Sequence, residues 1–162
     1  MIQASILVVD DDEELRKTLR SILEDEGHLV ETVKNGWQAI KISEKFLYDV
    51  ALIDIKLPDM KGIDLLQKMN ENHPDMIKII VTGYPSLQNA VKAVNEGADG
   101  YVIKPLQAEE LLEMIRKLLD KRTAGYAREW MVKSKAKLQR SSYEKQFKKP
   151  KGSIFTRMAK KS

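Results

Sequence analysis

Four places along the chain carry side chains that could do chemistry together. Asp54 closes an apolar run, Val50-Ala51-Leu52-Ile53, and is followed by Ile55-Lys56-Leu57-Pro58-Asp59. Asp10-Asp11-Asp12-Glu13-Glu14 directly follows the apolar run Ser5–Val9. Thr82 ends Met76–Val81 just before Gly83, and Lys104 ends Gly100–Ile103 just before Pro105. Clustered carboxylates repel one another unless a cation neutralises them. Oxygen ligands with no His or Cys beside them suit Mg²⁺, with Mn²⁺ able to substitute. A carboxylate can also attack phosphorus and form an acyl phosphate. In such a transfer a metal and an ammonium neutralise the phosphoryl oxygens, and a hydroxyl donates to one of them afterwards.

Taken singly, each residue has a plainer reading. Asp12, Glu13 and Glu14 suit the start of a helix, where negative charge meets the positive end of the dipole. Thr82 alone would be a strand-end or capping threonine, and Lys104 alone a solvated loop lysine. Their joint placement, one after each of four strands, is what points to a single pocket.

The elements that must position them alternate two periods. Ser5–Val9 is continuously apolar, as in a strand covered on both faces. Leu15, Leu19, Ile22 and Leu23 then recur at helical spacing up to Gly27. Leu29–Val33 reads as a strand, followed by the turn pair Asn35-Gly36 and a helix from Trp37 to about Lys45. Tyr48–Asp54 is a third strand, Pro58–Gly62 a loop, and Ile63, Leu66 and Met69 mark a third helix. Met76–Thr82 is a fourth strand, and Ser86 is placed to cap a fourth helix carrying Leu87, Ala90, Val91 and Val94. Trp37 and the Leu87-Val91-Val94 face read as core. Gly100–Ile103 is a fifth strand, and Leu111, Leu112, Ile115, Leu118 and Leu119 line a fifth helix. This alternation predicts an α/β fold: a parallel sheet with right-handed crossovers and helices on both faces. Parallel strands put their C-terminal ends on one edge, where open sheets bind ligands. Spacing alone leaves the strand order open.

Charge divides the chain. Residues 123–162 hold 12 Lys/Arg against 2 Asp/Glu, a net +10, which leaves 16 against 22, a net −6, for residues 1–122. An acidic body at 1–122 with a basic tail at 123–162 follows. The tail is expected to be helical over about 126–147 and flexible after Pro150. The chain has no Cys, which excludes disulfides and thiolate metal sites. Neither a basic signal region nor a membrane-length apolar run is present, so a cytoplasmic location is expected.

The stretches Ile6-Leu7-Val8-Val9-Asp10-Asp11, Ala51-Leu52-Ile53-Asp54, Pro58-Asp59-Met60-Lys61-Gly62, Val81-Thr82-Gly83-Tyr84 and Tyr101-Val102-Ile103-Lys104-Pro105 resemble the receiver domain of two-component response regulators. The resemblance covers about residues 4–122. It implies a flavodoxin-like fold with strand order 2-1-3-4-5. It also implies that Asp54 is the phosphoacceptor, and that Asp10, Asp11, Asp54 and the backbone carbonyl of Lys56 hold Mg²⁺. Thr82 and Tyr101 would be the switch residues. Lys104 would pair with the phosphoryl group, and the Lys104–Pro105 bond would be cis. The implied phosphodonor is a sensor histidine kinase or phosphotransfer protein. The face of the fourth helix, fifth strand and fifth helix would be read by a downstream protein or form a homodimer. Such a protein is not an enzyme beyond catalysing its own phosphorylation and dephosphorylation. The stretch Thr82-Gly83-Tyr84-Pro85 is most similar to receivers of ATPase-type transcription activators.

Two other functions fit parts of the pattern. An aspartate-nucleophile phosphatase of the haloacid-dehalogenase kind needs an acid two residues after the nucleophile, where Lys56 stands here. A receiver acting only as a scaffold would lack a pocket residue, and all are present. For output, the stretch after Arg122 is too short for a winged-helix domain. A stand-alone receiver acting on a protein is expected, the alternative being a small DNA-binding regulator whose basic tail contacts nucleic acid.

Overall fold

Five strands alternate with five helices in the computed structural model, which describes residues 2–147 and side chains as far as 142. In chain order they are β1 Ser5–Val9, α1 Glu13–Asp25, β2 Leu29–Val33, α2 Gly36–Lys45, β3 Val50–Asp54, α3 Gly62–Asn72, β4 Ile77–Thr82, α4 Leu87–Asn95, β5 Gly100–Ile103 and α5 Ala108–Phe147. Every strand pair is parallel, and the sheet order is β2-β1-β3-β4-β5. The order reverses between β1 and β3, so a crevice opens beyond their C-terminal ends. Asp10 and Asp54 lie at those two ends.

Strand alternation sorts the core into two layers. Ile6, Val8, Leu52 and Ile79 pack with Leu19 and Leu23 of α1 and with Leu111, Ile115 and Leu119 of α5. Leu7, Val9, Ala51, Ile53 and Ile80 pack on the other face with Ala39 of α2, Leu65, Leu66 and Met69 of α3, and Ala93 of α4. A sheet buried on both faces explains why β1, β3 and β4 are mostly apolar rather than alternating. Lys78 of β4 is the buried exception, and its Nζ donates to Asn70 Oδ1 at 3.0 Å.

The register is pinned at the N-terminal edge by residues just ahead of three strands. Asp49 N–H donates to the Ser5 carbonyl while its carboxylate accepts from Ser5 N–H at 2.8 Å. Asp99 does the same with Lys78, whose N–H lies 2.9 Å from Oδ2. His28 accepts from Ala4 N–H through Nδ1 at 3.1 Å. Asp49 is thus a pin rather than a strand residue, and β3 begins at Val50 instead of Tyr48.

Burial pushes the His28 imidazole below its ordinary 6.5, with Glu26 opposing more weakly. Only the neutral ring can accept from Ala4 N–H. The unfolded chain therefore takes up a proton at a higher pH than the folded one. This contribution to stability is present above 6.5 and is lost as pH falls through the lower folded value. In urea melts from pH 8 to pH 5, wild type should lose more stability than His28→Gln, which keeps an acceptor but cannot titrate. Parallel curves would remove His28 from the pH response.

Three expectations change. Trp37 is 55% exposed, and Lys68 Nζ lies 5.1 Å from its ring centroid. On α4 the packed face is the small one: Ala93 is buried and Ala90 half-buried. Leu87, Val91 and Val94 point to solvent at 80%, 51% and 64% exposure. Finally, α5 runs unbroken through Thr123-Ala124-Gly125. An interior glycine costs a helix about 1 kcal/mol relative to Ala, too little to stop it.

By its contacts the chain divides into Met1–Asp120 and Lys121–Ser162. In the second unit Tyr126, Trp130, Met131, Val132 and Leu138 are exposed. The flexible stretch expected after Pro150 lies outside the described residues. No helix among the described residues is long and apolar enough to cross a membrane.

Candidate metal and phosphoacceptor site

The C-terminal ends of β1, β3, β4 and β5 bring the expected residues to one edge. Asp10 leaves β1 with its N–H bonded to the Val33 carbonyl at 3.2 Å, and Asp54 is the last residue of β3. Asp10 and Asp54 are buried, Asp11 is exposed, and oxygens of all three lie within 4.8 Å of one another. Lys104 Nζ reaches in from the far side. It donates to Asp10 Oδ2 at 2.8 Å and to Asp54 Oδ2 at 3.2 Å. Lys104 is held there because its own N–H bonds to the Thr82 carbonyl at 2.8 Å. The Lys104–Pro105 bond is cis.

One ammonium does not balance three carboxylates. Burial and then the charge of Asp10 push the Asp54 carboxyl above its ordinary value, against the pull of Lys104. Lys104 feels the reverse: burial lowers it, but bonds and charge from Asp10 and Asp54 prevail and raise it. The ammonium is therefore firmly protonated, and the pocket keeps a deficit of positive charge. Hard oxygens at this spacing, with excess negative charge and an exposed side at Asp11, fit Mg²⁺.

Thr82 is fully buried at the end of β4, and its Oγ1 accepts from Tyr84 N–H at 3.0 Å. Tyr101 already lies inward: it packs against the α2–α3–α4 core layer, and its hydroxyl is buried with no hydrogen-bond partner. Lys56 contributes its N–H to Asp54 Oδ1 at 3.3 Å. Asp12 caps α1 by accepting from Leu15 N–H, as expected for a helix start.

Several supporting residues carried no signal of their role in the sequence. Arg16 donates to the Asp10 carbonyl at 2.8 Å and fixes that loop from one turn into α1. Asp59 accepts from the N–H groups of Gly36 and Trp37 at 2.9 Å each, tying the β3–α3 loop to the start of α2. Desolvation raises the Asp59 carboxyl, but these backbone bonds outweigh it and hold it low. Gly62 lies so close beneath Asp54 that a Cβ would sit 2.0 Å from the Asp54 carbonyl oxygen. Asp59 and Gly62 stood in a recognisable stretch, Pro58–Gly62, but their partners lie far off in sequence.

Residues 6–116 match the response regulator receiver domain. The chain belongs to that family. It is similar to the two-component response regulator PhoP of Pseudomonas aeruginosa, at 35% identity over 75% of this chain and 53% of that protein. The alginate biosynthesis transcriptional regulatory protein AlgB of Pseudomonas syringae is 34% identical over 74% of this chain and 27% of its own length. The receiver therefore spans a quarter to a half of these relatives. Among solved structures, a CheY-like response regulator receiver domain protein from Methanospirillum hungatei superposes with a TM-score of 0.74 at 42% identity. That match covers 76% of this chain and 99% of the other. The sheet order 2-1-3-4-5 is the flavodoxin-like order of this receiver fold.

Proposed function

We propose that residues 1–122 form a phosphoacceptor switch, with Asp54 as the residue modified and 123–162 as a basic extension. The observation that carries this is Lys104 Nζ set between Asp10 and Asp54, inside a cluster of three carboxylates at the β1/β3 crevice. An Asp54 oxygen attacks phosphorus. The bond from phosphorus to the donor's leaving group breaks, and the leaving group departs with the electron pair. The donor is a phosphohistidine on a sensor kinase or phosphotransfer protein, or a small acyl phosphate. Asp10, Asp11, Asp54 and the Lys56 carbonyl would hold Mg²⁺ or Mn²⁺, whose charge neutralises the phosphoryl oxygens during transfer. Lys104 stays near the new phosphoryl group as its fixed counter-charge. Thr82 turns its hydroxyl to a phosphoryl oxygen, while Tyr101 keeps the inward position it already holds. The chain acts on no substrate but itself, and its place of action is the cytoplasm.

The exposed stripe Leu87, Val91 and Val94, with Ile103 53% exposed on the edge strand, supports α4–β5–α5 as the face a downstream protein or a second copy reads. Ile103 pairs with Thr82 across the sheet, and Leu87 opens α4 soon after the Thr82–Tyr84 segment that phosphorylation would move.

Incubation with acetyl phosphate and Mg²⁺ should give an acid-stable, base-labile phosphoryl adduct on the full chain. EDTA should reduce labelling to background, because the carboxylates then repel the incoming phosphoryl group. No adduct with Mg²⁺ present would rule out the reading, and an adduct equally strong in EDTA would remove the metal from it.

A further inference from the structure

Lys56 and Tyr84 hold the two loops of the pocket together from above. Lys56 Nζ stands 3.7 Å from the Tyr84 ring centroid, well inside the range of a cation–π contact. Lys56 belongs to the loop after β3, two residues beyond Asp54. Tyr84 belongs to the loop after β4, two residues beyond Thr82. The Tyr84 main chain is also engaged at both groups. Its N–H donates to Thr82 Oγ1 at 3.0 Å, and its carbonyl accepts from Asn89 Nδ2 of α4 at 3.5 Å. Asn89 N–H in turn bonds to Ser86 Oγ, the cap of α4. One residue therefore joins Lys56, the Thr82 hydroxyl and the first turn of α4.

We propose that the Lys56 side chain and the Tyr84 ring form a latch that stabilises the unphosphorylated arrangement. The proposal rests on the phosphoacceptor reading. While Tyr84 is stacked, its N–H fixes the Thr82 rotamer. For Thr82 to turn toward a phosphoryl oxygen, that hydrogen bond must break, and Tyr84 with the start of α4 must move. The stack opposes this movement. It lowers the affinity of the pocket for a phosphoryl group by the free energy of the contact, since a ligand that selects one state is weakened by whatever favours the other. Tyr84 and Lys56 are exposed, so the contact is a modest one, equivalent to about two- to fivefold in an equilibrium. Both are positioning residues, acting on the site through Thr82.

A double-mutant cycle separates the stack from the bulk of Tyr84 and from the charge of Lys56. Phe or Leu is placed at Tyr84, each with Lys56 intact and with Lys56→Met. Beryllofluoride with Mg²⁺ serves as the phosphoryl mimic, and its affinity is read by calorimetry. Tyr84→Phe keeps the ring face and should match wild type. Tyr84→Leu should bind the mimic about two- to fivefold more tightly than Tyr84→Phe when Lys56 is present. With Lys56→Met the Phe and Leu forms should bind equally. A Phe-to-Leu effect of the same size in both backgrounds would assign it to ring bulk and overturn the latch. No effect in either background would overturn it too. Failure of the wild type to bind the mimic at all would instead overturn the phosphoacceptor reading, and the latch with it.

Discussion

Asp54→Asn is expected to abolish the phosphoryl adduct and, at neutral pH, to melt at a higher temperature than the wild type. The first effect follows from the loss of the oxygen proposed to attack phosphorus. The second follows from what surrounds it. Burial and the charge of Asp10 raise the Asp54 carboxyl in the folded protein above its ordinary 3.8. A raised carboxyl binds a proton more readily in the fold than in the unfolded chain. Its contribution to stability is complete below 3.8 and is lost as pH rises through the folded value. At neutral pH the wild type carries the whole penalty and the amide carries none. Lys104 does not lose its role as a counter-charge in the variant, because Asp10 Oδ2 remains its nearer partner at 2.8 Å. Thermal melts at neutral pH and below the carboxylate range give the test: the variant should lead at neutral pH, and the gap should close in acid. Mg²⁺ should also narrow it, by favouring the wild type in proportion to binding. That stabilisation is about 2.7 kcal/mol at a hundredfold excess over Kd. A variant no more stable than wild type at neutral pH would mean that Lys104 already cancels the repulsion.

The candidate site was legible because its residues sit where strands end. Asp10, Asp54, Thr82 and Lys104 each follow an apolar run, and a parallel sheet has only one edge on which such residues can meet. The strand order was not legible from spacing, since either side of β1 can accept β3; it came from resemblance to a known family. The α4 surface was misread for a general reason. Periodicity shows that a helix has two unlike faces, but not which one the body takes. Here the sheet takes Ala93, small enough for close approach, and the larger Leu87, Val91 and Val94 are left outside. Asp59 and Arg16 were silent because a capping or bridging role is defined by the partner. The partners of Asp59 lie more than twenty residues away, at Gly36 and Trp37. Gly62 is the extreme case: what matters there is a side chain that is absent.

Gly62→Ala should be the most damaging single-methyl change in the receiver. The added Cβ would stand 2.0 Å from the Asp54 carbonyl oxygen, 2.7 Å from Ile55 Cα and 2.8 Å from the Asp54 carbonyl carbon. All three are main-chain atoms, so no side chain can rotate away. Gly62 N–H is also bonded to the Ile55 carbonyl at 2.7 Å, and α3 starts at Gly62. Relief requires the end of β3 and the start of α3 to separate, and that breaks the bond. Overpacking costs about 1–3 kcal/mol where side chains can adjust, and with only backbone to move the loss should be about 3 kcal/mol or more. Separation also shifts Asp54 relative to Asp10 and Lys104. A displacement of about 1 Å can slow a positioned reaction by about a hundredfold, so labelling by acetyl phosphate should fall by about that factor in whatever fraction folds. Gly83→Ala is the matched control for stability. Its Cβ would meet nothing nearer than Lys104 Cδ at 3.8 Å, an ordinary contact. Urea melts of the two variants decide the matter. Equal stability would show that β3 and α3 can part without harm, and that the closeness of Gly62 to Asp54 does not hold Asp54 in place.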